Sequence, residues 1–172
     1  MKKIFIIFLI YTLHASLAIA NSPIAFIDMD KIISTSKPGS FILSQLSDVN
    51  LKNSTLLEDD AKKLKKKETK LISQKNILSE VDFKTNVNKL KLEFNNFNVK
   101  RGKTSKDFND LKIRNVNKLM KLINPILVNY LNDKSISMIL KKKDLVIGKI
   151  ELDITDEIIK IINRDIKEFK IK

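Results

Sequence analysis

The sequence predicts an α+β fold that is mostly helical: a small β-containing base and a long projecting antiparallel helical hairpin, a coiled-coil-like arm. Three observations lead to this prediction. A short apolar stretch with strand character lies near the start, a long segment with helical periodicity fills the middle, and strand-like runs followed by an amphipathic helix lie at the end. We expect the base to comprise residues 21–43 and 133–172, and the arm residues 44–132.

The first twenty residues are typical of a secretory signal. Two lysines precede a mostly apolar run that ends at Leu13, and small residues follow up to Ala20. We therefore expect residues 1–20 to be a signal peptide that is cleaved between Ala20 and Asn21, which exports the mature protein. The alternative is an uncleaved membrane anchor, but the apolar stretch falls short of the roughly 20 residues that a membrane-spanning helix needs.

Removal of the signal excludes most enzyme chemistry. His14 is the only histidine, and the chain has no cysteine. The mature chain therefore lacks the side chains for a Ser-His-Asp triad, a cysteine nucleophile or a zinc site built from His or Cys. Three acidic clusters remain: Asp28 with Asp30, Glu58–Asp60, and Asp156 with Glu157. They suit, in that order, the polar face of a strand, an exposed helix start or face, and a helix N-terminus. We predict no enzyme activity, no catalytic or metal-binding residue and no cofactor.

The mature chain is predicted to begin with a strand. Ile24–Ile27 is an apolar run, and we expect the strand to continue, with alternating burial, through Asp28-Met29-Asp30. Residues 37–40 read Lys-Pro-Gly-Ser and indicate a break with turn chemistry.

The descending helix of the arm is predicted from leucines at intervals of seven: Leu57, Leu64, Leu71 and Leu78. The companion positions are Ala61, Glu68 and Lys75. The apolar stripe is therefore narrow and half of it is polar, which suits a thin seam against one neighbouring helix. Ser79, followed three residues later by Asp82, has the form of a capping box. We therefore expect the tip of the hairpin near residues 76–79.

The ascending helix carries its own apolar stripe, which comprises Leu90, Phe94, Phe97, Phe108, Leu111, Leu119 and Leu122. Gly102 should be a soft spot, because glycine in a helix interior costs roughly 1 kcal/mol. Pro125 should kink this helix; alternatively, Asn124 caps a new helix in which Pro125 is the first residue. Helices of this length, roughly 54 and 80 Å at 1.5 Å per residue, must project from a compact base.

The end of the chain completes the base. Ile136–Leu140 and Leu145–Ile147 are predicted to form a strand–turn–strand unit around the polar residues 141–144. Asp153 and Thr155 are candidate caps for a final helix whose isoleucines follow a helical period.

The order of these elements resembles the Skp/OmpH family of periplasmic outer-membrane-protein chaperones. The similarity is carried by four stretches: Ile24–Met29, Leu122–Leu127, Ile136–Leu140 and Asp153–Thr155. The order of elements is similar over the whole mature chain, whereas the matching residues lie towards its two ends.

The resemblance implies a homotrimer in which three subunits share a base and their arms enclose a cavity. Members of this family hold unfolded outer-membrane proteins there, without ATP, in the periplasm. Some bind lipopolysaccharide through basic residues, but no residue of this chain can be matched to that site. The partners implied are further copies of this chain and unfolded outer-membrane proteins, with anionic lipid or lipopolysaccharide as additional candidates.

The residues also favour oligomerisation on their own account. The base is only about 60 residues, a size at which a lone core is marginal. The base has more aliphatic side chains than the two faces of so small a sheet can bury. Contacts between subunits would bury the remainder. The predicted core of the trimer base is Ile24, Phe26, Ile136, Met138, Leu140 and Val146. The alternative is a monomeric α+β core.

The arm has suitable chemistry for an unfolded chain. Residues 44–120 carry a surplus of eight positive charges, which would attract acidic clients or anionic lipid surfaces. The candidate client contacts are Phe83, Phe94, Phe97, Phe108, Lys100, Arg101 and Lys103. In the alternative interpretation, each phenylalanine simply packs the hairpin seam.

The predicted function is that of an ATP-independent periplasmic holdase. A structural coiled-coil envelope protein is the alternative, and a basic nucleic-acid-binding protein is a weaker one. The sequence pI of about 9.8 favours nucleic acid. However, 30 lysines against 3 arginines, together with the export signal, argue against a specific nucleic-acid partner.

Overall fold

The computed structural model describes residues 23–172, so the predicted signal peptide and its Ala20–Asn21 cleavage site lie outside the described residues. The elements in chain order are β1 (Ile24–Ile27), α1 (Met29–Thr35), α2 (Lys37–Ser73), α3 (Glu80–Asp133), β2 (Met138–Lys141) and α4 (Thr155–Asp165). Helices α2 and α3 form the long hairpin, and the remaining elements pack at its open end. The predicted α+β, mostly helical fold with a small base and a helical arm is confirmed.

The first strand is shorter than the sequence predicted. β1 ends at Ile27, and Asp28 caps α1 by accepting a hydrogen bond from the backbone N–H of Lys31 at 2.9 Å. The prediction that Asp28-Met29-Asp30 continues the strand was therefore wrong. An aspartate that satisfies a free N–H at a helix start outweighs a short alternating pattern.

Residues 37–40 are the first turn of α2 and not a loop. Ser36 caps the helix, Pro38 lies in the first turn, where its missing N–H costs nothing, and Gly39 follows. A Cβ on Gly39 would lie 2.1 Å from the carbonyl oxygen of Ile33. The glycine therefore serves the close approach of α1 to α2, and the predicted break lies one residue earlier.

The sheet consists of β1 and β2, which run parallel with Ile24 opposite Met138 and Phe26 opposite Leu140. The predicted strand at Leu145–Ile147 was wrong, because these residues follow a 3₁₀ turn at Lys142–Asp144 and have no strand assignment. An apolar run indicates that burial is favourable, but it does not say which strand is available as a partner.

The hydrophobic core lies where the open end of the hairpin meets the base. Its fully buried side chains include Ile32, Ile42, Leu119, Ile123, Ile158 and Ile162. Ile158 and Ile162 lie four residues apart on α4, so they share the face that packs against the other helices. One core therefore joins α1, α4 and both arm helices.

The arm helices are long and continuous. α2 has 37 residues and α3 has 54, which correspond to about 55 and 81 Å at 1.5 Å per residue. Gly102 and Pro125 both lie inside α3. The alternative in which Asn124 caps a new helix at Pro125 was therefore wrong. Pro125 has no N–H, so α3 lacks one intrahelical hydrogen bond there. The core contacts of neighbouring residues in α3 offset the free energy of this missing bond.

Candidate functional site

The seam of the arm follows the predicted leucine repeat. Leu64 is buried, and Leu57, Leu71 and Leu78 are half-buried. At the tip, the backbone N–H of Asp82 donates to the Ser79 hydroxyl at 3.1 Å, so Ser79 caps α3 as predicted. The Asp82 carboxylate accepts from this hydroxyl at 2.6 Å and not from the Ser79 backbone N–H, so the reciprocal half of a capping box is not formed. A seam this thin leaves most of each helix surface in contact with solvent.

The four candidate phenylalanines are all half-buried. Phe83 and Phe94 line an apolar cleft of about 260 Å³ beside Leu71 and Ile72. Phe97 lines a second cleft, of about 380 Å³, beside Leu64. Phe108 packs against the core at the open end. The rings thus pack the seam, as the alternative interpretation held, while part of each remains accessible.

The candidate basic residues lie at the surface, and Lys100 among them lines the cleft beside Phe97. Lys100 donates to Asp60 across the hairpin at 2.6 Å, and this hydrogen bond holds the pKa of the Asp60 carboxyl below its usual range. Lys67 makes a similar bridge to Glu93 at 2.6 Å. Arg101 and Lys103 are exposed. Solvent screens exposed pairs of this kind and they add little to stability, so they remain available to a charged ligand.

Sequence reasoning missed a set of large aliphatic side chains that lie off the seam. They are exposed along both arm helices and around the tip: Leu51, Leu56, Ile77, Val81, Leu92 and Val99. The signal that could have found them is an aliphatic residue outside the 3.5-residue stripe of an otherwise polar helix. These side chains give the arm apolar contact points on several sides.

The base also exposes apolar surface. Of the predicted trimer-base residues, Phe26 and Ile136 are buried within the chain, and Phe26 lies under Gly148, where an added Cβ would be 2.9 Å from the ring. Ile24, Met138 and Leu140 are exposed on the outer face of the sheet. One apolar face of the two-stranded sheet is therefore only partly covered.

The segment after the 3₁₀ turn is still more exposed. Val146 is 103% exposed and Ile147 is 91% exposed. Within the described residues, the backbone N–H groups of Val146, Ile147 and Gly148 donate to no acceptor. A neighbouring strand could satisfy these donors and cover the side chains.

A polar network fixes the base at the start of α4. The Thr155 hydroxyl accepts from the backbone N–H of Asp28 at 2.9 Å and donates to the Asp153 carboxylate. Burial raises the pKa of Asp153, but the hydrogen bonds from Thr155 and Lys142 outweigh burial and hold this pKa below its usual range. Neither predicted cap occupies the N-cap position of α4, which is Ile154 and has no side-chain cap hydrogen bond. Asp153 instead accepts from the backbone N–H of Thr155 at 3.0 Å, and Thr155 ties α4 to the end of β1.

The acidic clusters of residues 23–172 make structural contacts. Asp28 caps α1, Glu58 pairs with Lys62 at 2.7 Å, and Asp156 pairs with Lys31 at 2.6 Å. Among the described residues, no group of three or more acidic or histidine side chains is placed to hold a metal ion. No helix in the same range is long and apolar enough to span a bilayer.

These features define a helical-arm protein whose arm and base both present apolar side chains among basic ones. The chain belongs to the OmpH-like outer membrane protein family, whose sequence model matches residues 23–162. No protein of curated function matches the chain in sequence.

Among solved structures, the chain is similar to a Caulobacter crescentus CB15 protein designated a candidate outer membrane chaperone (OmpH-like). The TM-score is 0.76 at 14% identity, over 87% of this chain and 89% of that one. This similarity extends over both the arm and the base, and it establishes the shared fold.

Proposed function

We propose that the protein is an ATP-independent periplasmic holdase that binds unfolded outer-membrane proteins and prevents their aggregation in transit. The observation that carries the proposal is the arm, which exposes large aliphatic side chains between lysines along its length and tip. Such contacts are individually weak and numerous, so they suit many unfolded sequences and fix none of them. Membership of the OmpH-like family supports the same role.

The proposal includes a homotrimer held together by the base. Ile24, Met138, Leu140 and Val146 are exposed in the single chain, and burying such side chains is worth about 1.5–3 kcal/mol each. Among residues 23–172, no acceptor is found for the backbone N–H groups of residues 146–148, which would offer a strand edge to a neighbouring subunit. Three arms that descend from one base would surround a client and raise the local concentration of binding surface.

The basic charge of the arm would act over a longer range. Its surplus would draw acidic clients and anionic lipid surfaces, including lipopolysaccharide, towards the arms, and salt would screen this attraction. A structural tether with one fixed partner is less well supported. A stable coiled-coil partner needs a second continuous apolar stripe, whereas the exposed aliphatic residues are scattered around both helices.

The test is suppression of aggregation when a urea-unfolded outer-membrane barrel protein is diluted into the mature chain. A slight trimer excess should keep the barrel protein soluble. Replacement of Ile77, Val81, Leu92 and Val99 by serine should remove most of this effect, because it deletes apolar contacts without touching the seam. The matched control replaces the exposed Asn88 and Asn98 by serine and should suppress aggregation normally. Aggregation that proceeds unchanged with the unmodified chain would contradict the proposal.

A further inference from the structure

The segment after α4, residues 166–172, lies extended across both arm helices; we call it the tail. It lies outside the residues that the family model matches, 23–162. Ile166, Phe169 and Ile171 are partly buried against the core, whereas Lys170 and Lys172 are exposed. The tail thus alternates apolar and polar residues from Phe169 onward, as a half-buried β-strand does.

Two side-chain amides hold the backbone of the tail from opposite helices. Gln45 on α2 donates through Nε2 to the carbonyl of Phe169 and accepts through Oε1 from the N–H of Ile171, both at 3.2 Å. Asn115 on α3 donates to the carbonyl of Lys172 at 3.3 Å and accepts from its N–H at 3.4 Å. Backbone groups of successive residues in an extended chain point to opposite edges. The two amides therefore occupy the positions that flanking strands would occupy.

The groove is arranged to receive a backbone. The second N–H of the Gln45 amide is held by the carbonyl of Phe41 at 3.2 Å, and that of Asn115 by the carbonyl of Leu111 at 2.7 Å. Asn115 is only 3% exposed with the tail in place, so the tail supplies the remaining donor and acceptor that this buried amide needs. Lys118 completes the groove, with Nζ 4.2 Å from the centre of the Phe169 ring.

The hydrogen bonds that Gln45 and Asn115 make to the tail all go to its backbone, so they select an extended conformation. The packing of Phe169 and Ile171 against the core selects an apolar side chain at alternate positions. This is the recognition mode of strand-binding grooves, in which backbone hydrogen bonds give affinity and pockets for alternate side chains give selectivity. Strands of outer-membrane barrels have the same pattern, with apolar and polar residues in alternation and aromatic residues near their ends.

We propose that this groove, formed by Gln45, Asn115 and Lys118, binds a single extended strand segment of an unfolded barrel protein, and that the tail is a built-in occupant which the client displaces. The proposal rests on the holdase function and adds a defined backbone-binding site to its diffuse arm contacts. Because the tail is tethered, it competes at an effective concentration in the millimolar range. Only a client that also contacts the arms displaces it, and its return helps to release the client.

The first experiment measures binding of a peptide with the sequence of residues 166–172. Replacing Phe169 and Ile171 by serine in the intact chain frees the groove, and replacing the outward-facing Lys170 by serine is the matched control. The freed groove should bind the peptide at least about tenfold more tightly than the control protein does. A peptide of the same composition with its apolar residues consecutive should not bind, and adding Gln45→Ala should abolish binding. Equal binding of the two peptides, or occupation of the groove only by the tail of another copy, would overturn the proposal.

A second measurement uses the unmodified chain. The backbone N–H groups of Ile171 and Lys172 should exchange with solvent faster when an unfolded barrel protein is added, because the client takes their place. Unchanged exchange alongside full suppression of aggregation would refute the groove and leave the holdase function standing. If the peptide with the sequence of residues 166–172 binds but the chain does not suppress aggregation, the holdase function is refuted instead.

Discussion

At the residue scale, the base depends on a few buried polar groups whose partners are far apart in sequence. Thr155 joins the end of β1 to the start of α4, and Tyr130 on α3 donates its hydroxyl hydrogen to Glu157 on α4. These contacts fix α4 against the sheet and the arm. The helix cap at Ser79 was predictable, because a cap is a local pattern. The hydrogen bond between Asp28 and Thr155 was not, since it joins residues 127 positions apart.

Thr155→Val should lower the free energy of unfolding by about 1–3 kcal/mol, because it leaves the partly buried N–H of Asp28 without an acceptor. Urea denaturation at a fixed protein concentration measures the change. Thr55→Val is the matched control at an exposed helix position, and it should change stability by less than about 0.5 kcal/mol. Equal losses for the two variants would show that the hydroxyl of Thr155 is not needed.

The Tyr130 hydroxyl should titrate at an unusually high pH. Burial, followed by the hydrogen bond to Glu157 and the charge of that carboxylate, raises the pKa of Tyr130 from 10.0 to about 12. In the chain from residue 21 it is the only tyrosine, so absorbance at 295 nm follows this group alone. The midpoint should lie near pH 12 in the folded protein and near pH 10 in urea. Glu157→Gln should bring the folded midpoint to an intermediate value.

The same shift gives a stability change with a defined sign. The pKa of Tyr130 is higher in the folded than in the unfolded state, so its contribution is complete below pH 10 and is lost as the pH rises from 10 to 12. Tyr130→Phe should lack this part of the alkaline loss. A variant whose stability falls between pH 10 and 12 as steeply as that of the unmodified chain would contradict the assignment.

At the element scale, the arm is a hairpin held by a thin seam and by contacts at its open end. The heptad spacing predicted this seam, because one apolar stripe on each helix fixes which faces meet. It did not predict that Leu145–Ile147 would lie outside the sheet. Those residues have strand chemistry, but the parallel partner of β2 is β1, and pairing between distant segments is not encoded in a local run.

Leu64→Ala should loosen the arm, because Leu64 is 7% exposed and fills the seam beside Phe97. A buried leucine replaced by alanine costs about 2–5 kcal/mol. Hydrogen exchange should rise in the middle of α2 and α3 while the base stays protected. Ile72→Ala, at a position that is 64% exposed, is the control and should leave exchange unchanged. Faster exchange across the base instead would contradict an arm that opens locally.

At the scale of the whole molecule, a single chain forms a buried core but leaves large apolar side chains of the base exposed. The sequence predicted a base that needs neighbours from its surplus of aliphatic residues. In the part of the chain that the structure describes, this surplus lies on the exposed sheet face and in residues 146–148, whose backbone N–H groups have no acceptor there. The groove for the tail was beyond prediction, because Gln45 and Asn115 look like ordinary polar helix residues until the extended segment is placed between them.

Leu140→Lys combined with Val146→Asp should therefore prevent assembly, because it places two charges in the proposed subunit contact. The mass in light scattering should fall from that of a trimer to that of a single chain. Val128→Asp makes the same kind of change at an exposed arm position and should leave the trimer mass intact. Assembly that survives the double substitution would locate the contact elsewhere.

The most direct test of the account is the mass of the complex formed with an unfolded barrel protein. The mature chain and a urea-unfolded barrel protein are mixed by dilution, and the soluble species is measured by light scattering. We expect one species that contains three copies of this chain and one client. Free single chains beside precipitated barrel protein would contradict both the shared base and the enclosed client.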